Sequence, residues 1–199
     1  MKHVIVAAHP RPDSFTLAMA KAYAAEVEAA GDVALLRDLY RMRFDPLLHP
    51  GELPDHPGFA PRSDVVEERR EIADADVFVL VYPLWFNAAP AMLKGYIDRV
   101  FGMGFGYSPH SEGGNHPLLA GRKLVSFSCS GAPQHWVEAS GAWSAMLNHF
   151  DSHLAAVVGL DVIGHHNLGG IVPGLRADVV KGHLDEVRRH ARAIASAYH

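Results

Sequence analysis

The sequence contains only one cysteine, Cys129, among 199 residues. A single cysteine excludes an internal disulfide and any metal site built from several thiolates, and it is typical of a reducing compartment. Fourteen histidines are scattered along the chain. The one pair at helical i, i+4 spacing, His149 and His153, lacks the glutamate of an HExxH zinc motif. We therefore expect no metal site.

Long apolar runs are also missing. No segment approaches the roughly 18 consecutive apolar residues that a membrane-spanning helix needs. The chain begins Met1-Lys2-His3-Val4-Ile5, a start typical of a strand and not of a signal peptide. These features predict a cytoplasmic protein without a membrane span.

The formal net charge is only −4, which argues against nucleic acid as a partner. Charged residues make up 20% of the chain and hydrophobic residues 49%, values typical of an ordinary globular protein. The chain has no internal repeat, low-complexity tract or linker. We expect one domain over residues 1–199.

Three common catalytic motifs are absent. The first strand is not followed by GxGxxG or by a Walker loop, so a Rossmann dinucleotide site and phosphoryl transfer lack support. No GxSxG elbow or nucleophile–histidine pairing is recognisable, which argues against a hydrolase.

The pattern of elements predicts a three-layer α/β/α sandwich. Apolar β-branched segments alternate with helical ones, so right-handed crossovers and a five-stranded parallel sheet of order 2-1-3-4-5 are expected. The predicted strands are 2–8, 33–36, 77–81, 123–128 and 160–165, and the predicted helices are 15–30, 64–73, 89–100, 141–158 and 175–198. Tyr82 and Pro83 are expected to end the third strand. A long connection from Leu39 to Arg62 contains five prolines, and we interpret it as a lid or as a flap at a dimer edge.

Three loops are expected to meet at the carboxyl ends of the strands, where open α/β sheets bind ligands. Ser14 either only caps the first helix or helps its N-terminus to bind an anion. Trp85 and Phe86, after the third strand, either stack on a flat ligand or are core aromatics. A third loop, 128–131, has small residues that allow backbone amides to approach a ligand. Together the loops suit a planar heterocycle with a phosphate tail, such as a flavin nucleotide.

Several motifs resemble those of the NAD(P)H:quinone oxidoreductase family. They are His-Pro-x-Pro-x-Ser-Phe-Thr at 9–16, Asp-Leu-Tyr at 38–40 with Phe-Asp-Pro at 44–46, the long segment 82–101, and Gly-Phe-Gly-Tyr at 104–107. The resemblance covers almost the whole chain. It implies a flavodoxin-like fold and a homodimeric flavoenzyme that passes hydride from NAD(P)H to quinones or related electrophiles by a ping-pong mechanism.

By the same resemblance, the first loop holds the flavin phosphates or ribityl chain, the second packs against the isoalloxazine ring, and the third lines the polar edge of that ring. The implied cofactor-binding residues are His9, Ser14, Phe15 and Thr16, then Pro83, Leu84, Trp85, Phe86 and Asn87, then Ser128, Cys129, Ser130 and Gly131. The Ser-Cys-Ser-Gly of the third loop departs from the Thr-Thr-Gly-Gly-like family pattern.

A larger departure concerns the proton donor. Family members carry a Tyr and then a His after the third loop, whereas here Trp136 stands at the Tyr position and the His position falls near Ala142 or Trp143. Trp cannot act as an acid at useful pH. His135 is either a substitute or an exposed loop histidine, and Tyr107 and Trp136 are expected to form the wall of the substrate pocket.

The cofactor and partner remain open in part. The resemblance favours FAD over FMN, with NAD(P)H as co-substrate, and it does not separate NADH from NADPH. The acceptor is a quinone, azo dye, nitroaromatic or other small electrophile. An ancillary regulatory subunit or an electron-transfer module is the alternative, although a net charge of −4 is mild for an electron-transfer flavodoxin.

Overall fold

The structure is a computed structural model that describes residues 1–109 and 114–198. Five parallel strands form the main sheet in the order β2-β1-β3-β6-β7, which confirms the predicted topology. A separate two-stranded antiparallel sheet, β4-β5, precedes β6. The strands are β1 (Lys2–Ala7), β2 (Val33–Asp38), β3 (Val77–Pro83), β4 (Tyr107–Pro109), β5 (Asn115–Pro117), β6 (Lys123–Cys129) and β7 (Asp161–Leu168).

Helices cover both faces of the sheet. On one face α1 and α7 pack against Ile5, Val79 and Phe127, and on the other α3 and α6 pack against Val4 and Leu80. Successive strand residues point to opposite faces, so both residue sets are buried and the strands read as continuous apolar runs. The helices are α1 (Phe15–Ala29), α2 (Ser63–Glu71), α3 (Ala91–Val100), α4 (Gln134–Ala139), α5 (Ala142–Met146), α6 (His153–Val158) and α7 (Ala177–Ala197). No helix in the described part of the chain is long and apolar enough to cross a membrane.

The proline at 83 predicts that the third strand ends before Tyr82, but the strand is longer. It continues through Pro83, which pairs in register with Cys129 of β6. Pro83 lacks an amide hydrogen, but the next amide along the chain, that of Leu84, donates to the Cys129 carbonyl at 2.7 Å. The ladder therefore needs no donor at Pro83, and the strand reaches the edge of the sheet unbroken.

The single helix predicted at 141–158 is wrong in detail. Pro133 caps the short helix α4, and Gly141, at φ +74°, separates it from α5. A π-helical turn, Leu147–Ser152, then joins α5 to α6. Apolar spacing identifies the packed face of this region, but it does not reveal a left-handed glycine or a widened helical turn.

Arg99 anchors the Pro-rich connection 39–62 to α3. Its buried guanidinium donates to both carboxylate oxygens of Glu52, at 2.9 and 3.0 Å, and to both oxygens of Asp64, at 2.7 and 2.9 Å. A further bond reaches the Asp45 carbonyl at 2.6 Å. Burial alone would raise the pKa of Glu52, but the bonds from Arg99 outweigh it and lower that pKa below its ordinary value. The connection is thus fixed to the body of the protein.

We expect Arg99→Met to lower the free energy of unfolding by about 3 kcal/mol, because it leaves the nearly buried carboxylate of Glu52 without its cation. Urea unfolding measures this change. Lys94→Met on the same helix is the matched control, since the Lys94–Asp98 pair is half exposed and contributes at most about 0.5 kcal/mol. Equal effects of the two variants would contradict the anchoring role.

The same network predicts a dependence on acid. Arg99 lowers the pKa values of Glu52 and Asp64 in the folded protein, so their contribution is complete above the unfolded-state values. It is lost as the pH falls through the lowered, folded-state values. Unfolding measured from neutral pH downwards should therefore show a steeper loss of stability in the wild type than in Arg99→Met.

Candidate functional site

A cavity of about 160 Å³ opens at the carboxyl ends of β1, β3 and β6. In the order 2-1-3, β1 and β3 flank the point where the topology reverses, which is the usual ligand site of such sheets. Nine residues predicted for the site line the cavity, and Arg11 and Ile171 join them. The nine are His9, Phe15, Thr16, Pro83, Leu84, Trp85, Cys129, Ser130 and Gly131.

The first loop brings positive charge and helix amides to the cavity. Ser14 is the N-cap of α1, and its hydroxyl accepts the Leu17 amide at 3.3 Å. The amides of Phe15 and Thr16, in the first helical turn, have no intrahelical acceptor and are suited to an anion. Burial lowers the pKa of His9, so that Arg11 supplies the positive charge at this edge.

The second loop holds an aromatic wall in a strained backbone. Trp85 is 43% exposed, and its ring centroid lies 5.8 Å from that of His9. The next two residues, Phe86 and Asn87, have φ of +51° and +56°, a region that bulky residues such as Phe rarely adopt. Trp85 and Ala88 exchange two backbone hydrogen bonds of 3.1 Å, which hold this tight turn. Such strain commonly accompanies functional loops.

The third loop closes the cavity with small residues. Cys129 is buried, and its sulfur lies 3.6 Å from the Thr16 hydroxyl. The Ser130 hydroxyl donates to the Ala132 carbonyl at 2.8 Å, and its backbone carbonyl accepts the Ile171 amide at 2.9 Å. The loop is therefore tied both to itself and to the segment after β7.

Behind this loop lies a buried polar chain that the sequence patterns did not predict. His165 Nδ1 lies 2.7 Å from Asp151 Oδ2, and His165 Nε2 lies 2.8 Å from Ser128 Oγ. Ser126 Oγ donates to Asp151 Oδ1 at 2.6 Å, and Ser128 Oγ lies 3.0 Å from Asn167 Oδ1. Ser126 and Ser128 lie two residues apart in β6 and so face the same side of the sheet. This spacing of serines in an otherwise apolar strand is the sequence signal that indicates the buried polar chain.

Ser128, His165 and Asp151 have the arrangement of a hydrolytic triad, a pairing that the sequence did not reveal. However, Ser128 is 0% exposed and lies inside the sheet, so no substrate reaches its hydroxyl. The site therefore does not support hydrolysis, and the chain of polar residues serves another purpose.

The structure places the other predicted site residues away from the cavity wall. Phe86 is fully exposed, and Asn87 donates its side-chain amide to the Ala142 carbonyl at 2.8 Å. Tyr107 lines a separate cavity between α3 and α6. His135 and Trp136 are exposed on α4, and Trp136 is 64% exposed. Ser14 caps α1 and lines a second cavity that adjoins the first, and Ser128 belongs to the polar chain.

A second cavity of about 390 Å³ adjoins the first. Arg11, Phe15 and Ile171 line both, so the two form one elongated binding region. The second cavity is enclosed by the N-terminus of α1 and by the segment 171–175. A ligand that starts between the three loops can therefore extend along α1.

These features fit a flavin nucleotide. The α1 amides and Arg11 are donors for a phosphate, and the Trp85 side chain offers an apolar face to a flat ring. Backbone groups at Ser130 and Gly131 border the same cavity and can meet the polar edge of such a ring. Within the described residues, no group of three or more His, Cys, Asp or Glu side chains could hold a metal ion.

The thiol of Cys129 provides a direct test of the cavity wall that the third loop forms. Cys129 is 6% exposed, and burial raises the pKa of its thiol, so both access and thiolate content are low. We expect a chromogenic disulfide reagent to react at least about tenfold more slowly with the folded protein than with the urea-unfolded protein. Added flavin should slow the reaction further. Labelling at the unfolded rate in buffer would contradict the placement of Cys129.

Comparison with known proteins agrees with the fold and the loops. Residues 1–193 match the family described as having a flavodoxin-like fold. An uncharacterised NAD(P)H oxidoreductase of Haemophilus influenzae is 38% identical over 66% of this chain and 65% of its own length. Another, of Escherichia coli, is 32% identical over 79% of this chain and 78% of its own.

A solved structure resembles the whole chain. The NAD(P)H:quinone oxidoreductase from Methanothermobacter marburgensis is 30% identical, and the match covers 98% of each chain with a TM-score of 0.86. The family predicted from the motifs of the first and third strands is thus confirmed. The chain belongs to the flavodoxin-like family that includes the NAD(P)H:quinone oxidoreductases.

Proposed function

We propose that this protein is a flavin-dependent NAD(P)H:quinone oxidoreductase. The observation that carries the proposal is the convergence of three strand-end loops on one cavity, which brings together an anion site, an aromatic face and backbone donors. An oxidoreductase agrees with the named activities of the relatives of this family. The residues around the cavity have no other arrangement that would perform chemistry unaided.

A bound flavin would supply the hydride-transfer chemistry of the reaction. The protein binds and orients it. The first-turn amides of α1 and Arg11 would hold the phosphate, while Trp85 and Leu84 would pack against the ring. The loop at Ser130 would meet the polar edge of the ring, where donors and acceptors adjust the reactivity of the flavin.

FAD is the preferred cofactor. FAD differs from FMN by an adenylate, and the second cavity gives this part a place beside the phosphate site. Arg11 and Phe15 line both cavities, so an adenylate bound in the second would lie next to a phosphate bound at α1. Mass spectrometry of the released cofactor distinguishes the two nucleotides.

A homodimer would complete the site. Phe86 is fully exposed although its backbone is strained, and Trp136 is also exposed, so both aromatic side chains are available to a second copy. In such a dimer nicotinamide and quinone would use the same open side of the flavin in turn, and this shared use would give ping-pong kinetics. Light scattering of the purified protein measures the number of chains.

The first experiment is an absorption spectrum of the purified protein with added FAD or FMN. Under anaerobic conditions, NADH or NADPH should bleach the bound flavin, and a simple benzoquinone should restore its colour. Parallel lines in double-reciprocal plots of initial rate against quinone concentration, at several nucleotide concentrations, would support ping-pong turnover. A protein that takes up no flavin would exclude the proposal. Bound flavin without turnover would favour an ancillary subunit or electron-transfer module instead.

Trp85→Ala should weaken flavin binding about tenfold, because it removes the exposed aromatic face of the cavity. Fluorescence quenching of titrated flavin measures the dissociation constant. Phe86→Ala is the matched comparison, since Phe86 is adjacent but does not line the cavity of its own chain. Equal losses in the two variants would show that the ring does not pack on Trp85 as proposed.

A further inference from the structure

The direction of the hydrogen bonds in the buried polar chain depends on one proton. Asn167 donates its side-chain amide to Ser130 Oγ at 3.2 Å and to Gln134 Oε1 at 2.6 Å. Its Nδ2 therefore faces the loop, and its Oδ1 must accept from Ser128, 3.0 Å away. The only hydrogen that Ser128 can offer is then committed to Asn167.

This commitment determines what His165 must provide. Ser128 Oγ lies 2.8 Å from His165 Nε2, and its hydrogen already points to Asn167, so Nε2 must carry a hydrogen and donate. On the other side, Nδ1 lies 2.7 Å from Asp151 Oδ2, and this contact also needs a hydrogen. All these hydrogen bonds form at once only when the His165 ring and the Asp151 carboxyl group carry two hydrogens between them, one on Nε2 and one between Nδ1 and Oδ2.

A neutral imidazole opposite a carboxylate holds one proton too few. Its single hydrogen would go to Asp151, and Ser128 would then have two acceptors and one hydrogen. An unsatisfied buried polar atom costs about 1–3 kcal/mol, so the state with the additional proton is favoured. The side chains of His165 and Asp151 are only 1% and 2% exposed, so the pair is shielded from bulk water.

We propose that Asp151 and His165 retain this additional proton and thereby act as positioning residues for the cavity wall at 129–134. The inference deepens the proposed function, on which its relevance to flavin binding rests. The pair acts through Ser128 and Asn167 on Ser130 and Gln134, and it contacts neither the cavity nor a substrate.

Within the described part of the chain, two uncharged aromatic rings also pack against His165. Tyr82 of β3 has its ring centroid 5.9 Å away, and burial followed by the nearby Asp151 raises the pKa of Tyr82 well above its ordinary value, which keeps it neutral. The Trp143 ring of α5 lies edge-on at 4.9 Å. The adjacent His166 points to the opposite face, where it stacks on His190 at 3.6 Å, and burial lowers its pKa to about 4. Asp151 is therefore the charged partner that faces His165.

The first test locates the ring hydrogens of His165 in the protein without flavin. Nitrogen-15 NMR of the histidine rings at neutral pH should show His165 with hydrogens on both nitrogens, or with one on Nε2 and a strong bond from Asp151 to Nδ1. Asp151→Asn, whose amide can donate to Nδ1, should give a neutral ring with its hydrogen on Nε2. His165→Gln assigns the signals of His165, and His166→Gln is the matched control, because it changes the neighbouring histidine on the opposite face. A wild-type His165 with hydrogen only on Nδ1 overturns the proposal.

The second test uses the labelling rate of the Cys129 thiol to measure how firmly the cavity wall is held. Asp151→Leu, which offers no hydrogen to His165 Nδ1, should accelerate labelling of the folded protein about tenfold. Asp151→Asn, whose amide can still donate to Nδ1, and His166→Gln should both leave the rate unchanged. Arg99→Met controls for general destabilisation, because it weakens the fold far from the polar chain. If Asp151→Leu accelerates labelling no more than Arg99→Met does at equal stability, the positioning role is excluded.

A third measurement separates this inference from the proposed function. Asp151→Leu should weaken flavin binding about tenfold, with Trp85→Ala as the reference for a residue that lines the cavity. A wild-type protein that binds no flavin would refute the proposed function, while the NMR and labelling results would still decide the role of Asp151 and His165. Unchanged flavin affinity in Asp151→Leu would overturn the positioning role in a protein that does bind flavin.

Discussion

The parallel pairing of β3 between β1 and β6 is the constraint on which the rest of the structure depends. Val79 and Leu80 are buried on opposite faces, so helices must cover both sides of the sheet. The register ends β1 at Ala7, β3 at Pro83 and β6 at Cys129 along one edge. Three loops that are spread along the chain from His9 to Gly131 are thereby brought around one cavity.

Polar residues inside this sheet complete the cavity instead of weakening the core. Ser126 and Ser128 occupy strand positions where apolar side chains are the norm, and a buried hydroxyl without a partner costs about 1–3 kcal/mol. Asp151 and Asn167 provide the partners, and their bonds lead to the wall at Ser130. Stabilisation of the core and placement of the binding loop are thus one network.

Periodicity and loop chemistry predicted much of this arrangement. The β-branched run at 77–81 identified the central strand, and the Ser14 cap identified the start of α1, because both signals are local. The extension of β3 through Pro83 was not predicted, because it depends on a hydrogen bond from the amide of the next residue, Leu84, to the Cys129 carbonyl. The division of the helical region after β6 depended on the positive φ of Gly141 and on a π turn, neither of which apolar spacing encodes.

The sequence alone determined the class of sheet, the order of its strands and the identity of the three loops, since these follow from short-range patterns and from the rules of parallel connections. Only the tertiary structure decided which loop residues line the cavity: Trp85 does and Phe86 does not, because the turn rotates them apart. It also decided that Asp151 and His165 meet behind Ser128. Their contact joins a helical turn to an edge strand, and no local pattern specifies such a long-range pairing.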